Sequence, residues 1–183
     1  MTPLAYRRGG KGMHIRYTIV DTCLGHMLVG ATDHGICALS FGDDDASQES
    51  FLRSEYPAAH LQWDDVALSA WVQELVNHLE GSQPDLTLPL DLQATTFQLR
   101  VWEELRKIPY GETRTYAQIA QTLGQPNAVR AVARACATNP VSVITPCHRV
   151  VCSDGSLAGY RWGLWRKQKL LTQERSRQVP PDH

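Results

Sequence analysis

The sequence predicts two successive units of different texture: an α/β unit first, then a mainly α-helical unit containing a helix-turn-helix. Residues 15–41 alternate apolar and polar in the manner of strands. After Thr115, two helical segments are joined by a tight turn. Charge also changes sign along the chain. Residues 1–96 hold 5 Lys+Arg against 13 Asp+Glu, and residues 97–183 hold 13 against 6. A length of 183 residues with 43% apolar content suits one compact unit or two small ones, with a real core.

The first unit reads as a β-meander followed by helices. Ile15–Val20, Met27–Ala31 and Ile36–Phe41 are strands, with turns at Leu24-Gly25-His26 and Asp33-His34-Gly35. Gly42-Asp43-Asp44-Asp45 is an acidic turn. It lacks the alternation and closing Glu of a calcium loop, so it reads as a helix start. Helices are expected over Ser47–Tyr56 and Val66–Leu79, the second with apolar residues at 68, 71, 72, 75, 76 and 79 and ended by Gly81. Pro84–Gln93 reads as a strand or an extended linker.

The second unit begins near Thr95. Thr95 or Thr96 caps a helix with Phe97, Val101, Trp102, Leu105 and Ile108 on one side, closed by Pro109-Tyr110-Gly111. Thr115-x-x-Gln118 is a capping box opening a helix over Tyr116–Leu123. Gly124 ends it, and Asn127 is expected to cap a third helix reaching about Thr138. That helix is mostly small residues, which lets its backbone lie close to protein core or to a nucleic-acid groove. Arg130 and Arg134, at i and i+4, mark a face outside the core. The basic balance of this half fits a polyanion partner or a solvated face.

Composition excludes several classes. No apolar run approaches the roughly 20 residues of a membrane span, and the basic start has no hydrophobic stretch behind it, so a signal peptide is not expected. Five cysteines, at 23, 37, 136, 147 and 152, include no C-x-x-C pair. A disulfide scaffold and a zinc ribbon are disfavoured, and a cytoplasmic setting is expected.

Asn139-Pro140 ends the third helix, Val141–Ile144 is apolar, and Pro146-Cys147-His148-Arg149-Val150 follows. By itself a Cys-His pair serves equally as a buried structural cysteine or as a nucleophile with its base. Here it stands among further motifs in fixed order: Tyr116-x-x-Ile-Ala, Ala128-Val129-Arg130-Ala131-Val132, Asn139-Pro140, Gly159-Tyr160, and Arg166-Lys167 through Leu170-Leu171 to Glu174. Over about residues 14–175 the chain resembles the O6-alkylguanine-DNA alkyltransferases, and most of all the bacterial adaptive-response members, with Gly-Tyr-Arg-Trp-Gly at 159–163.

The resemblance implies a ribonuclease H-like α/β domain over 14–93 and a winged-helix-like, DNA-binding and alkyl-transfer domain over 94–175, with a tail over 176–183. It implies that Cys147 accepts the alkyl group, that His148 takes its proton through a water, and that Glu174 orients His148. Transfer to a thiolate needs such a base, because a free thiol titrates near about 8.5 and burial raises that value. Without regeneration of the thioether, one transfer per molecule is expected, with no cofactor. Asn139 is implied to hold the helix-turn-helix against the active segment. Because a base cannot be reached inside a duplex, it must be flipped out. Arg130 is implied to fill the gap from a helix in the minor groove, Tyr116 to push the neighbouring phosphate, and Arg134 to contact phosphate. The Val150 carbonyl, Tyr160 and the Arg161 amide are implied to line the guanine pocket, with Cys136 in its wall. Trp162, small in many relatives, is expected to restrict bulky O6 substituents.

Cys23, His26, His34 and Cys37 sit across turns but form no convincing metal-ligand set. Residues 1–13 resemble the closing segment of an AraC-type DNA-binding domain, so the alternative reading is the last part of a methylation-responsive regulator. Double-stranded DNA is the expected partner, the chain a monomer, and no membrane is involved.

Overall fold

The computed structural model describes residues 9–177. The chain divides into two compact units, Met1–Ala94 and Thr95–His183. The expected AraC-like leader falls largely on residues 1–8 and the tail on 178–183, outside the described residues.

In the first unit, strands β1 (His14–Thr22), β2 (Gly25–Thr32) and β3 (Gly35–Gly42) form the expected antiparallel meander. β2 starts two residues earlier than the alternation suggested. The turn is Cys23-Leu24, tightened by Thr22, whose hydroxyl accepts from Leu24 N–H and donates to the Gly25 carbonyl. Helix α1 (Asp45–Glu55) is capped by Asp44, which accepts from Ser47 N–H at 2.7 Å, so the acidic turn is a helix start. Ile15, Tyr17 and Ile19, two apart on β1, share one face. They form a core with Leu28, Cys37, Ala38, Leu52 and Tyr56.

Strand β4 (His60–Trp63) was not legible in the sequence. It pairs parallel with β1 and completes the order β3-β2-β1-β4. It is four residues long and largely exposed, so its single polar–apolar alternation, Leu61 and Trp63, is too short to reveal a strand. Helix α2 (Asp65–Leu79) packs on β1 and buries Leu68, Leu75 and Leu79.

The segment 84–93 stays extended without becoming a strand. It docks on the start of β3, where Ile36 N–H donates to the Pro89 carbonyl at 2.8 Å and Asp91 N–H to the Ile36 carbonyl at 2.9 Å. Thr32 Oγ1 donates to Asp91 Oδ2 at 2.6 Å beneath it.

In the second unit, helix α3 (Thr96–Arg106) begins with a capping box between Thr95 and Gln98 and buries Val101, Trp102 and Leu105. Trp102 Nε1 donates to the Ala135 carbonyl at 2.8 Å. Helix α4 (Tyr116–Thr122) begins with the Thr115–Gln118 capping box. Gly124, at φ +73°, turns the chain toward helix α5 (Val129–Ala137). Asn127 is not the cap of α5: Ala128 occupies that position and no side chain caps the helix. The hydrogen bond from Ala128 N–H to the Gln125 carbonyl closes a β-turn with Asn127 inside it, one residue too early to cap.

A two-stranded parallel pair, β5 (Arg114–Thr115) and β6 (Val150–Val151), then helix α6 (Leu164–Ser176), complete the unit. Two-residue strands carry no readable period.

Gly35 sits where the docked segment touches β3. At φ +152°, a Cβ there would lie 2.6 Å from the Pro89 carbonyl oxygen. Gly35→Ala is expected to destabilise the protein by about 2 kcal/mol or more. A lowered urea midpoint with unchanged m-value checks this.

Candidate active site

Residues from α5, the irregular segment that follows it, the 3₁₀ turn Cys147–Arg149, β6 and α6 meet around one sulfur atom. Asn139 organises the approach. Its Nδ2 donates to the Thr145 carbonyl at 2.8 Å and to Cys147 Sγ at 3.3 Å, while its Oδ1 accepts from Val141 N–H at 3.1 Å. An amide offers both donor and acceptor, so one side chain clips both ends of the segment. Inside the clip, Ile144 N–H donates to the Ser142 carbonyl at 2.9 Å, and Val143 between them has φ +71°. A β-branched residue there stores on the order of 1–3 kcal/mol of strain.

Cys147 is buried, and burial pushes its thiol pKa up. The Asn139 amide, the Lys167 charge and the backbone N–H groups of Cys147 and His148 oppose that rise. The resting sulfur is therefore a thiol held among groups that favour its anion.

His148 is fully buried, with Nε2 2.7 Å from Glu174 Oε1. Burial pulls the imidazole pKa down, against the pull of Glu174. The carboxylate is an acceptor, so a neutral ring carries its proton on Nε2. Nδ1 is then the lone-pair nitrogen. It is buried and has no hydrogen-bond partner within the protein.

Glu174 has further partners. Arg149 donates from Nε to Oε2 at 2.9 Å and from Nη2 to Oε1 at 3.1 Å, and Gly111 N–H donates to Oε2 at 3.1 Å. Arg149 also donates from Nη1 to the Ile108 carbonyl at 2.7 Å, and its guanidinium lies 5.5 Å from the Tyr110 ring centroid. Burial alone would raise the Glu174 pKa, but the His148 and Arg149 hydrogen bonds, the Arg149 charge and the charge that His148 gains in acid hold it down, to about 2. With His148 neutral, Arg149 supplies the positive charge that keeps this carboxylate ionised.

The neighbouring walls are built from β6 and the loop after it. Lys167, fully buried, donates from Nζ to the Val150 carbonyl at 2.7 Å and to the Ala158 carbonyl at 3.5 Å, and lies 5.9 Å from the Tyr116 ring centroid. Burial lowers its pKa, opposed by the cysteines nearby. The Tyr160 hydroxyl is buried near Ser142, and burial raises its pKa well above the ordinary value. Trp162 Nε1 donates to Ser142 Oγ, the Arg161 guanidinium lies 5.0 Å from the Trp162 ring, and Arg166 Nη1 donates to the Trp162 carbonyl at 2.7 Å. Cys136 faces inward from α5, and burial raises its thiol pKa.

Thus Cys147, His148, Glu174 and Asn139 come together, with Tyr116, Cys136, Val150, Tyr160 and Trp162 around them. Arg130 and Arg134 stand on the exposed side of α5, lining a groove of about 600 Å³ with Thr95, Gln98 and Thr138. The sequence reading gave no role to Arg149 or Lys167. For Arg149 the available signal was its place directly before the apolar pair Val150-Val151; Lys167 lies in the polar run Arg166–Lys169 and carries no such signal. Cys37 is core, donating to the Gly30 carbonyl at 3.5 Å, with its thiol pushed up to about 12 by burial. His26 pairs with Asp45 at 2.6 Å. Among the described residues, no group of three or more His, Cys, Asp or Glu is placed to hold a metal ion, and no helix is long and apolar enough to cross a membrane.

Comparison with known proteins places this geometry. Residues 15–92 match the ribonuclease-like domain of 6-O-methylguanine DNA methyltransferase, and residues 96–176 match its DNA-binding domain. The chain is 48% identical over 174 residues to the Escherichia coli bifunctional transcriptional activator/DNA repair enzyme Ada, covering 95% of this chain and 49% of that protein. It therefore spans about half the length of this relative. It is 38% identical over 170 residues to the Mycobacterium tuberculosis methylated-DNA–protein-cysteine methyltransferase, covering 92% of this chain and 96% of that one. The crystal structure of the Mycobacterium tuberculosis O6-methylguanine methyltransferase superposes with a TM-score of 0.77 at 35% identity, over 92% of this chain and 96% of that chain. The same organism's OGT in complex with DNA gives 0.76 at 36%, over 90% and 94%.

A carboxyl pKa lowered on folding stabilises the native state above its unfolded value near 4.5, and that stability is lost as pH falls toward 2. For Glu174 the contribution is on the order of 3 kcal/mol. Replacing it with Gln is expected to flatten the fall in stability between about pH 4.5 and 2, read by urea unfolding at each pH.

Proposed function

The chain belongs to the 6-O-methylguanine DNA methyltransferase family, and on that premise we propose that it repairs DNA by moving a methyl group from guanine O6, and from thymine O4, to Cys147. The observation that carries this reading is a buried thiol clipped by Asn139 whose next residue, His148, has Nε2 on a carboxylate and a bare Nδ1.

In this reading the Cys147 proton passes to His148 Nδ1 through a bridging water, Glu174 steadies the ring, and the sulfur attacks the O6-bound carbon. An S–C bond forms as the O6–C bond breaks, and the proton passes to the departing guanine. The product is a thioether that nothing reverses, so each molecule acts once. The Val150 carbonyl, Tyr160 and the Arg161 amide bind the guanine, and Cys136 packs behind it. The partner is alkylated double-stranded DNA entered from the minor groove, with Arg130 in the vacated stack, Tyr116 against the neighbouring phosphate and Arg134 on the backbone. The exposure of Arg130 and Arg134 supports that placement. The protein works as a cytoplasmic monomer without a cofactor.

A second reading has one observation in its favour. The match to Ada covers about half of a bifunctional activator, so Cys147 transfer would be the repair half of a regulator.

Incubation with tritiated methyl-DNA is expected to place label on Cys147, reaching a plateau at one methyl per protein and vanishing in Cys147→Ala. Continued turnover would instead indicate a hydrolase. Arg130→Ala is expected to slow repair of duplex by tenfold or more, on the order of 1.4 kcal/mol, with little effect on free O6-methylguanine. Equal losses would remove the finger role. Trp162→Gly is expected to speed reaction with O6-benzylguanine more than with O6-methylguanine; an unchanged ratio of the two rates would contradict a restricting role for Trp162.

A further inference from the structure

Glu174 meets three demands at once, and only one of them comes from His148. Arg149 takes both of its oxygens, at 2.9 and 3.1 Å, in a buried two-pronged pair, and is itself fixed by the Ile108 carbonyl at 2.7 Å. Such a fork defines both the position and the rotation of a carboxylate. The group facing His148 is therefore one half of an ion pair that is already neutral, rather than a lone anion.

That difference matters for a base. A lone buried carboxylate against an imidazole favours the imidazolium, which has no lone pair to accept the thiol proton. A carboxylate shared with a guanidinium still orients Nε2–H but draws in less positive charge. We propose that Arg149 is a positioning residue of the transfer centre, its two-pronged hold on Glu174 fixing the carboxylate against His148 Nε2 and dividing its charge so that Nδ1 keeps its lone pair. This rests on the reading of Cys147 as the methyl acceptor.

The groups that face the His148–Glu174 pair are consistent with the assignment. From the 3₁₀ turn these are Cys147 and Arg149, and from α6 Lys167, whose charge like that of Arg149 opposes protonation of His148. Tyr110, from the loop after α3, and Tyr160, from the loop after β6, are also coupled to Glu174, and both hold their protons because burial raises their pKa values. Arg177 lies near Tyr110. Glu174 is thus the one anion of the set at neutral pH.

The test is the pH profile of methyl transfer from a methylguanine duplex to Cys147 in the wild type, Arg149→Met and Arg149→Lys, with melting temperatures taken alongside. Removing the guanidinium returns the full carboxylate charge to His148, so the acid limb of the profile moves up by about one pH unit. The rate of Arg149→Met then falls several-fold more between pH 8 and pH 5 than that of the wild type, the ratio approaching about tenfold only below both acid limbs. Arg149→Lys, with one prong in place of two, shows a smaller displacement, and it decides the matter if the Met variant does not fold. Profiles parallel to the wild type overturn the proposal, whether the rates are unchanged or fall uniformly with the melting temperature. A wild-type protein that leaves Cys147 unmodified overturns the functional reading and the proposal with it.

Discussion

The second unit is organised around a buried carboxylate. Glu174 on α6 accepts from the 3₁₀ turn through His148 and Arg149 and from the loop after α3 through Gly111. Burying an unpaired carboxylate costs several kcal/mol, and breaking a buried pair by removing one partner typically costs about 3–5 kcal/mol. These elements are therefore coupled: parting the turn from the helix strands a charge, and moving the loop forfeits a hydrogen bond to it. The same contacts set the chemistry, because the group that ties the turn to the helix also decides which imidazole nitrogen carries the proton.

Asn139 plays the corresponding part on the other side of the sulfur. Its amide spans the Val141–Thr145 segment and reaches Cys147 Sγ. The left-handed Val143 inside the clip is a local cost that the surrounding burial and hydrogen bonds offset. A segment constrained from both ends holds the thiol in one place, the preorganisation that the proposed role of Cys147 as nucleophile calls for.

Much of the fold was legible because it rests on local rules. The Thr95–Gln98 and Thr115–Gln118 capping boxes, the Asp44 helix start and the three alternating strands each depend on residues within a few positions of one another. Asn127 was misread because turn and cap favour the same residue types, and the choice was made by the Gln125–Ala128 hydrogen bond. β4 and the β5–β6 pair were missed for want of length, being fixed by partners distant in sequence. The site divides in the same way. Cys147 and His148 are adjacent and readable, whereas Glu174 lies 26 residues from His148 and was reachable only through the family resemblance. Arg149 and Lys167 passed as ordinary charged residues, since complete burial of a cation is a property of tertiary packing.

The central claim is that the Glu174 junction holds a neutral His148 with its proton on Nε2 beside the Cys147 thiol. Nitrogen-15 NMR of the histidine-labelled protein, with His148→Gln to assign the signal, tests it most directly. The account predicts the neutral Nε2–H tautomer at neutral pH, persisting below the ordinary histidine pKa of about 6.5. An imidazolium at pH 7, or a neutral ring protonated on Nδ1, would contradict it.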